Sequence, residues 1–172
     1  MVNFDLMHMI RLSFIPSMCC FVNKMSAFSA LVAIAEADSH VIRVVKPESS
    51  KGESSQQIVV KTIRDLHDSS VQTLKFNPSL NIVVSTDKSG IVEVWDPETG
   101  DLPEDGRLGF EMLSETDLFS LQENATSAIT SQFSPDGSIL ALFCRDGTLR
   151  LFSTHSGKIL STFSETIDRF KE

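Results

Sequence analysis

The sequence predicts an all-β chain: about three four-stranded antiparallel units in tandem, with one orphan strand in front. Three observations predict it. First, "DKSGIVEVWDPETG" at 87–100 recurs position by position as "CRDGTLRLFSTHSG" at 144–157, and a motif that occurs twice is usually one unit of a repeat. Second, the match extends upstream without a gap. At an offset of 57 residues Trp95 meets Phe152, Gly90 meets Gly147, Gly100 meets Gly157, Phe76 meets Phe133 and Pro78 meets Pro135. Third, the runs between the Pro and Gly breaks are β-branched or aromatic and alternate at period two, the pattern of strands with one face more buried.

The elements follow in order. "LMHMIRL" (6–12) reads as a fourth strand whose partners are missing, so residues 1–14 form an orphan outer strand. The first unit, 15–66, is degenerate: "ALVAIAEADSHVIRVVKP" aligns with "LNIVVSTDKSGIVEVWDP" at an offset of 50, with Val45 in the Trp slot and His40 replacing the turn glycine. Its fourth strand is "QIVVKTI" (57–63), after a polar loop, "PESSKGESSQQ" (47–57). The second unit, 67–122, carries a long insertion around "PETGDLPEDG" (97–106) and a less regular fourth strand, "RLGFEML" (107–113). "SETDLFSLQENATS" (114–127) leads into the third unit, 123–164, whose fourth strand is "KILSTF" (158–163). The last residues, 165–172, are a tail or the start of a helix capped by Ser164. Each third strand carries one charge two residues before the aromatic slot: Arg43, Glu93 and Arg150.

Length suits one ordinary domain, and the balance of 41% hydrophobic and 22% charged residues is that of a soluble globular protein. A net charge of −8 argues against direct nucleic-acid binding, which uses a basic stripe. Neighbouring Cys19 and Cys20 with a lone Cys144 make no disulfide framework and fit reduced thiols in an intracellular compartment. The apolar stretch from Leu12 to Asn23 is too short to span a membrane, and the opening residues lack the basic start of a secretory signal. Asn124 heads a match to a glycosylation sequon, which in a chain without a signal peptide reads instead as an ordinary polar loop.

No site chemistry emerges from the residues. His67-Asp68 lacks the positioned nucleophile that a catalytic dyad needs. His8, His40, His67 and His155 and the cysteines show no metal-ligand spacing. Asp136-Gly137 and Asp146-Gly147 are turn chemistry, short of the carboxylates a calcium loop requires. No phosphate loop is present, so neither cofactor, metal nor small-molecule substrate is expected. The serines of "SSKGESS" could take phosphate or form a solvated linker. The acidic "ETGDLPEDG" reads as a partner-binding rim or a solvated loop.

The Trp95-Asp96 pair with its upstream glycine turn resembles the blades of WD-repeat β-propellers, so the fold implied is a partial WD-repeat propeller. The resemblance also implies a structural network of His, Ser or Thr, Asp and Trp. His67, Ser85 and Trp95 match three of its positions in the second blade, with Ser89 at the Asp position and Asp87 two residues away. Asp146 matches in the third blade, where Asn124, Leu142 and Phe152 fill the other slots. "VNFDLMHM", "FIPSMCCFV", "VVSTDKSGIVEVW", "TDLF", "SQFSPDGS" and "HSGKILSTFSETIDRF", in that order, are similar to the WD-repeat region of the peptidylprolyl isomerase domain and WD repeat-containing family. That family implies a nuclear, spliceosome-associated interaction scaffold whose partners are proteins of an RNA-processing assembly. It also implies the alternative of a peptidyl-prolyl cis-trans isomerase whose cyclophilin-type domain lies outside this chain.

Overall fold

A computed structural model describes residues 12–22, 31–46 and 59–164. The orphan strand at 6–12, of which only Leu12 is included, the whole 47–57 loop with its serines, and the 165–172 tail lie outside the described residues.

Among the described residues, eleven strands form three antiparallel sheets. The first sheet runs β1 (Pro16–Val22), β2 (Leu31–Glu36), β3 (Ile42–Val45), β4 (Val59–Ile63), in that spatial order. The second has three strands, β5 (Val71–Asn77), β6 (Ile82–Asp87) and β7 (Val92–Trp95). The third holds β8 (Ala128–Phe133), β9 (Ile139–Cys144), β10 (Thr148–Ser153) and β11 (Ile159–Ser164). The middle sheet lies between the other two, its inner strand β5 touching both β1 and β8. This is an open, partial propeller.

The packing explains the hydrophobic pattern. On one side of the middle sheet Trp95, Val83 and Leu74 meet Ile42, Val44 and Ile63 of the first. On the other, Ile82, Val84 and Val94 meet Leu140, Leu142 and Phe152 of the third. Strand β6 is therefore buried along its whole length, whereas β11 at the outer margin is mostly exposed. The 57-residue offset holds through the second and third sheets: Val83 pairs with Trp95 as Leu140 pairs with Phe152.

Two expectations are corrected. Residues 107–113 form no strand. The connector instead makes a 3-10 turn at Leu113–Glu115 and a short helix, α1 (Ser120–Glu123), while Leu108 and Phe110 sink into the core between second and third sheets. Its backbone bonds run to the third sheet: the Gly109 N–H donates to the His155 carbonyl at 2.8 Å and that of Asp117 to the Gly157 carbonyl at 2.9 Å. The positive φ of Gly106 and the core-seeking Leu108 and Phe110 favour this path over a regular ladder. Second, His40 does not stand where the turn glycine stands. The β2–β3 hairpin is one residue longer than its counterparts, because Ala35 pairs with Ile42 whereas Thr86 pairs with Val92. The left-handed residue there is Asp38 (φ 52°), against Gly90 (φ 91°) and Gly147 (φ 74°). Aspartate tolerates that conformation better than most residues. Gly90 has a further reason to be glycine, since a Cβ would strike the Thr126 carbonyl.

Candidate interaction surface and the buried network beneath it

The second sheet brings four polar side chains together in its core. His67, just before β5, places Nε2 2.7 Å from Ser85 Oγ on β6. Trp95 at the end of β7 donates its Nε1–H to the same Oγ at 3.1 Å. His67 Nδ1 lies 3.5 Å from the Asp87 carboxylate, with both side chains fully buried. One proton arrangement links three of them by hydrogen bonds, indole N–H to serine and serine O–H to Nε2, while the Nδ1 edge faces the Asp87 carboxylate at 3.5 Å, an electrostatic contact too long for a good hydrogen bond. The chain of acid, imidazole and hydroxyl has the connectivity of a hydrolytic triad. Its hydroxyl is occupied by an indole and closed to solvent, so here the arrangement ties strands together.

The carboxylate that contacts His67 is Asp87, not Ser89. The other oxygen of Asp87 accepts from the Ser89 N–H (2.9 Å), the Ser89 hydroxyl (2.7 Å) and the Ile91 N–H (3.0 Å). One side chain thus fixes the β6–β7 turn and the imidazole together. Burial alone would raise its pKa, but these donors and His67 outweigh it and hold the group at about 2.

Asp146 lies in the third sheet, apart from these four. It accepts from the Thr148 N–H at 3.0 Å and pairs with Arg150 at 2.7 Å. The positions matching Ser85, Asp87 and Trp95 are Leu142, Cys144 and Phe152, all buried. This blade replaces the polar network with apolar packing and keeps only the turn carboxylate.

Glu93 occupies the slot held by Arg43 and Arg150 in the other sheets. Arg43 is paired with Glu36 at 3.2 Å and stacks on Phe14. Glu93 has no cationic partner among the described residues. Burial, then the charge of Asp87, push its pKa up to about 7. A carboxyl raised above its unfolded value adds stability that is complete below about pH 4.5 and lost as pH rises through about 7. Glu93→Gln is therefore expected to be more stable than the parent at pH 8 by on the order of 1 kcal/mol, with the gap closing at pH 5. Denaturant midpoints at the two pH values check this; equal midpoints at pH 8 contradict it.

The surface feature is the acidic loop after Trp95. Arg107 anchors it, bonding Asp96 at 2.8 Å, Asp105, and the Asn81 carbonyl at 2.9 Å. The Arg107 guanidinium holds the exposed Asp105 carboxyl at about 2. Asp101, Leu102, Pro103 and Glu104 then line a cleft of about 520 Å³ at one end of the second sheet. Sequence reasoning missed Arg107, which sits in a stretch that reads as a strand. An Asp-Gly-Arg cluster beginning nine residues after the Asp of an Asp-Pro turn was the available signal.

Two family descriptions match the chain: "WD domain, G-beta repeat" over residues 59–96 and "Anaphase-promoting complex subunit 4 WD40 domain" over residues 102–169. Among curated proteins, the chain is 31% identical over 96% of its length to peptidyl-prolyl cis-trans isomerase CYP71 of Arabidopsis thaliana, covering 25% of that protein. It is 32% identical over 99% of its length to peptidyl-prolyl cis-trans isomerase cyp15 of Rhizopus delemar, covering 26% of it. It is 27% identical over 99% of its length to the human peptidylprolyl isomerase domain and WD repeat-containing protein 1, again covering 26%. The chain thus spans about a quarter of the length of the relatives it matches. In fold it is similar to the WD40 domain of Toxoplasma gondii coronin, with a TM-score of 0.57 and 17% identity over 78% of this chain and 30% of that one.

Proposed function

We propose, on the premise that this chain is a WD-repeat region of the peptidylprolyl isomerase domain and WD repeat-containing family, that it is a protein-interaction scaffold within a nuclear RNA-processing assembly. WD repeats serve protein interaction generally; the nuclear assembly is the finer step, supported by the family resemblance. The observation that carries the scaffold reading is the acidic loop at 97–106, braced by Arg107 against a rigid stack of sheets. A loop held this way loses little freedom on docking. The charge of −8 suits basic protein partners better than nucleic acid. Immobilised in nuclear extract treated with ribonuclease, the chain should retain proteins of a splicing complex. The double variant Asp101→Lys, Glu104→Lys should retain at least severalfold less. Enrichment no greater than with an unrelated propeller sinks the reading.

The relatives' names favour a second reading, that the protein to which these repeats belong is a prolyl isomerase. On that reading catalysis resides in a separate domain, and the repeats recruit or position it. The chain alone is then expected to leave prolyl exchange at its uncatalysed pace of about tens to hundreds of seconds. A protease-coupled peptide assay measures this, and cyclosporin-sensitive turnover by the chain itself would place catalysis within the repeats.

A further inference from the structure

The second sheet stops one strand short of its neighbours, and the missing strand leaves an edge. In the first sheet β4 pairs with β3, placing Ile63 opposite Ile42, Thr62 opposite Arg43 and Lys61 opposite Val44. In the third, β11 pairs with β10, placing Phe163 opposite Leu149, Thr162 opposite Arg150 and Ser161 opposite Leu151. The outer edge of β7 has no such partner among the described residues: β6 is its only neighbour in the sheet. The connector that would fill the place bonds instead to the β10–β11 turn, through Gly109 and Asp117. An edge strand presents unpaired N–H and C=O groups, which an extended backbone satisfies. In the middle of this edge Glu93 stands half-buried and without a cation, where the paired third strands carry arginine.

We propose that the outer edge of β7 takes an extended peptide from a partner protein as the fourth strand of this sheet, with a lysine or arginine of the peptide against Glu93. This deepens the scaffold reading and rests on it, naming the kind of partner segment that docks. Strand addition draws affinity from main-chain bonds and specificity from alternate side chains. The edge spans only Val92–Trp95, so specificity falls on the residue across from Glu93, the position filled by Thr62 and Thr162 in the neighbouring sheets. A cation there relieves the isolated charge of a half-buried carboxylate; an acid there repels it. Residues flanking the cation meet the edge beside Val92 and Val94, so apolar β-branched residues suit those places.

The test uses the full chain and a fluorescein-labelled probe of sequence STVKVTIS, read by anisotropy. The probe should bind saturably. Exchanging its lysine for glutamate should weaken binding at least about tenfold, and Glu93→Lys should reverse the order of the two probes. Of two probes N-methylated on alternate residues, one should lose binding and the other keep it, because only alternate N–H groups face the ladder. The N-methylated pair changes nothing in the protein, so this arm stands even if the Glu93 variant misfolds. No saturable binding, equal binding of the two N-methylated probes, or indifference to the charge exchange overturns the proposal. If the probe fails while the chain still retains splicing proteins through its acidic loop, the edge proposal falls and the scaffold reading stands.

Discussion

Replacing Trp95 with alanine is expected to cost about 3–5 kcal/mol, the usual price of truncating a fully buried aromatic. The side chain is completely buried between the first and second sheets, packed with Ile42, Val44, Leu74 and Val83. Its indole N–H also holds the Ser85 hydroxyl that meets His67. The substitution therefore opens a cavity at the sheet interface and removes a member of the buried polar cluster, whose remaining groups stay buried. Domain stabilities run about 5–15 kcal/mol, so the variant should be unfolded or close to it. Trp95→Phe separates the two contributions: it keeps most of the packing and loses the hydrogen bond, for a smaller loss of about 1–2 kcal/mol. Denaturant titration followed by circular dichroism measures both. An alanine variant with the parent's midpoint would show that Trp95 is solvent-facing and available for recognition.

The chain by itself is expected to self-associate. The outward face of the third sheet carries Ile139, Ala141, Leu149, Leu151 and the exposed Phe143 and Phe163. Five of its positions, shifted back by the 57-residue offset, are Ile82, Val84, Thr86, Val92 and Val94 of the second sheet. There they are buried, four of them in the core shared with the third sheet. The same face is thus covered in one blade and open in the next. Propellers place every blade between two others in rings of about four to eight, and three sheets do not close such a ring. An apolar sheet face of this kind promotes association. Light scattering behind size-exclusion chromatography, over a concentration series, should show species above 19.0 kDa that grow with concentration. Fusing further blades to both ends should return a monomer. A monodisperse monomer of the unextended chain with one sharp unfolding transition would contradict the open propeller and favour a self-contained sandwich.

The repeat and most of its strands are legible in the residues alone. Hairpins with the same alternation of apolar positions between aligned Pro and Gly breaks fold alike, which is why β5, β6 and β7 recur 57 residues later as β8, β9 and β10. Period-two alternation is a local property of the pleat and can be read without knowing what the strand packs against. His67, Ser85 and Trp95 were legible through the resemblance, because each sits at a fixed distance from a recognisable turn. Three features were decided only by the tertiary structure. A gap-free alignment cannot reveal the extra residue in the β2–β3 hairpin, since a left-handed aspartate can close the turn in place of glycine. The role of Asp87 depends on the imidazole, which arrives from 20 residues upstream to meet one oxygen while the turn holds the other. The fourth strand of the second sheet was lost because Leu108, Phe110 and Leu118 bury more fully between two sheets than along one sheet's edge. Only the neighbouring blade supplies that alternative, so no local pattern in 107–113 could have announced it.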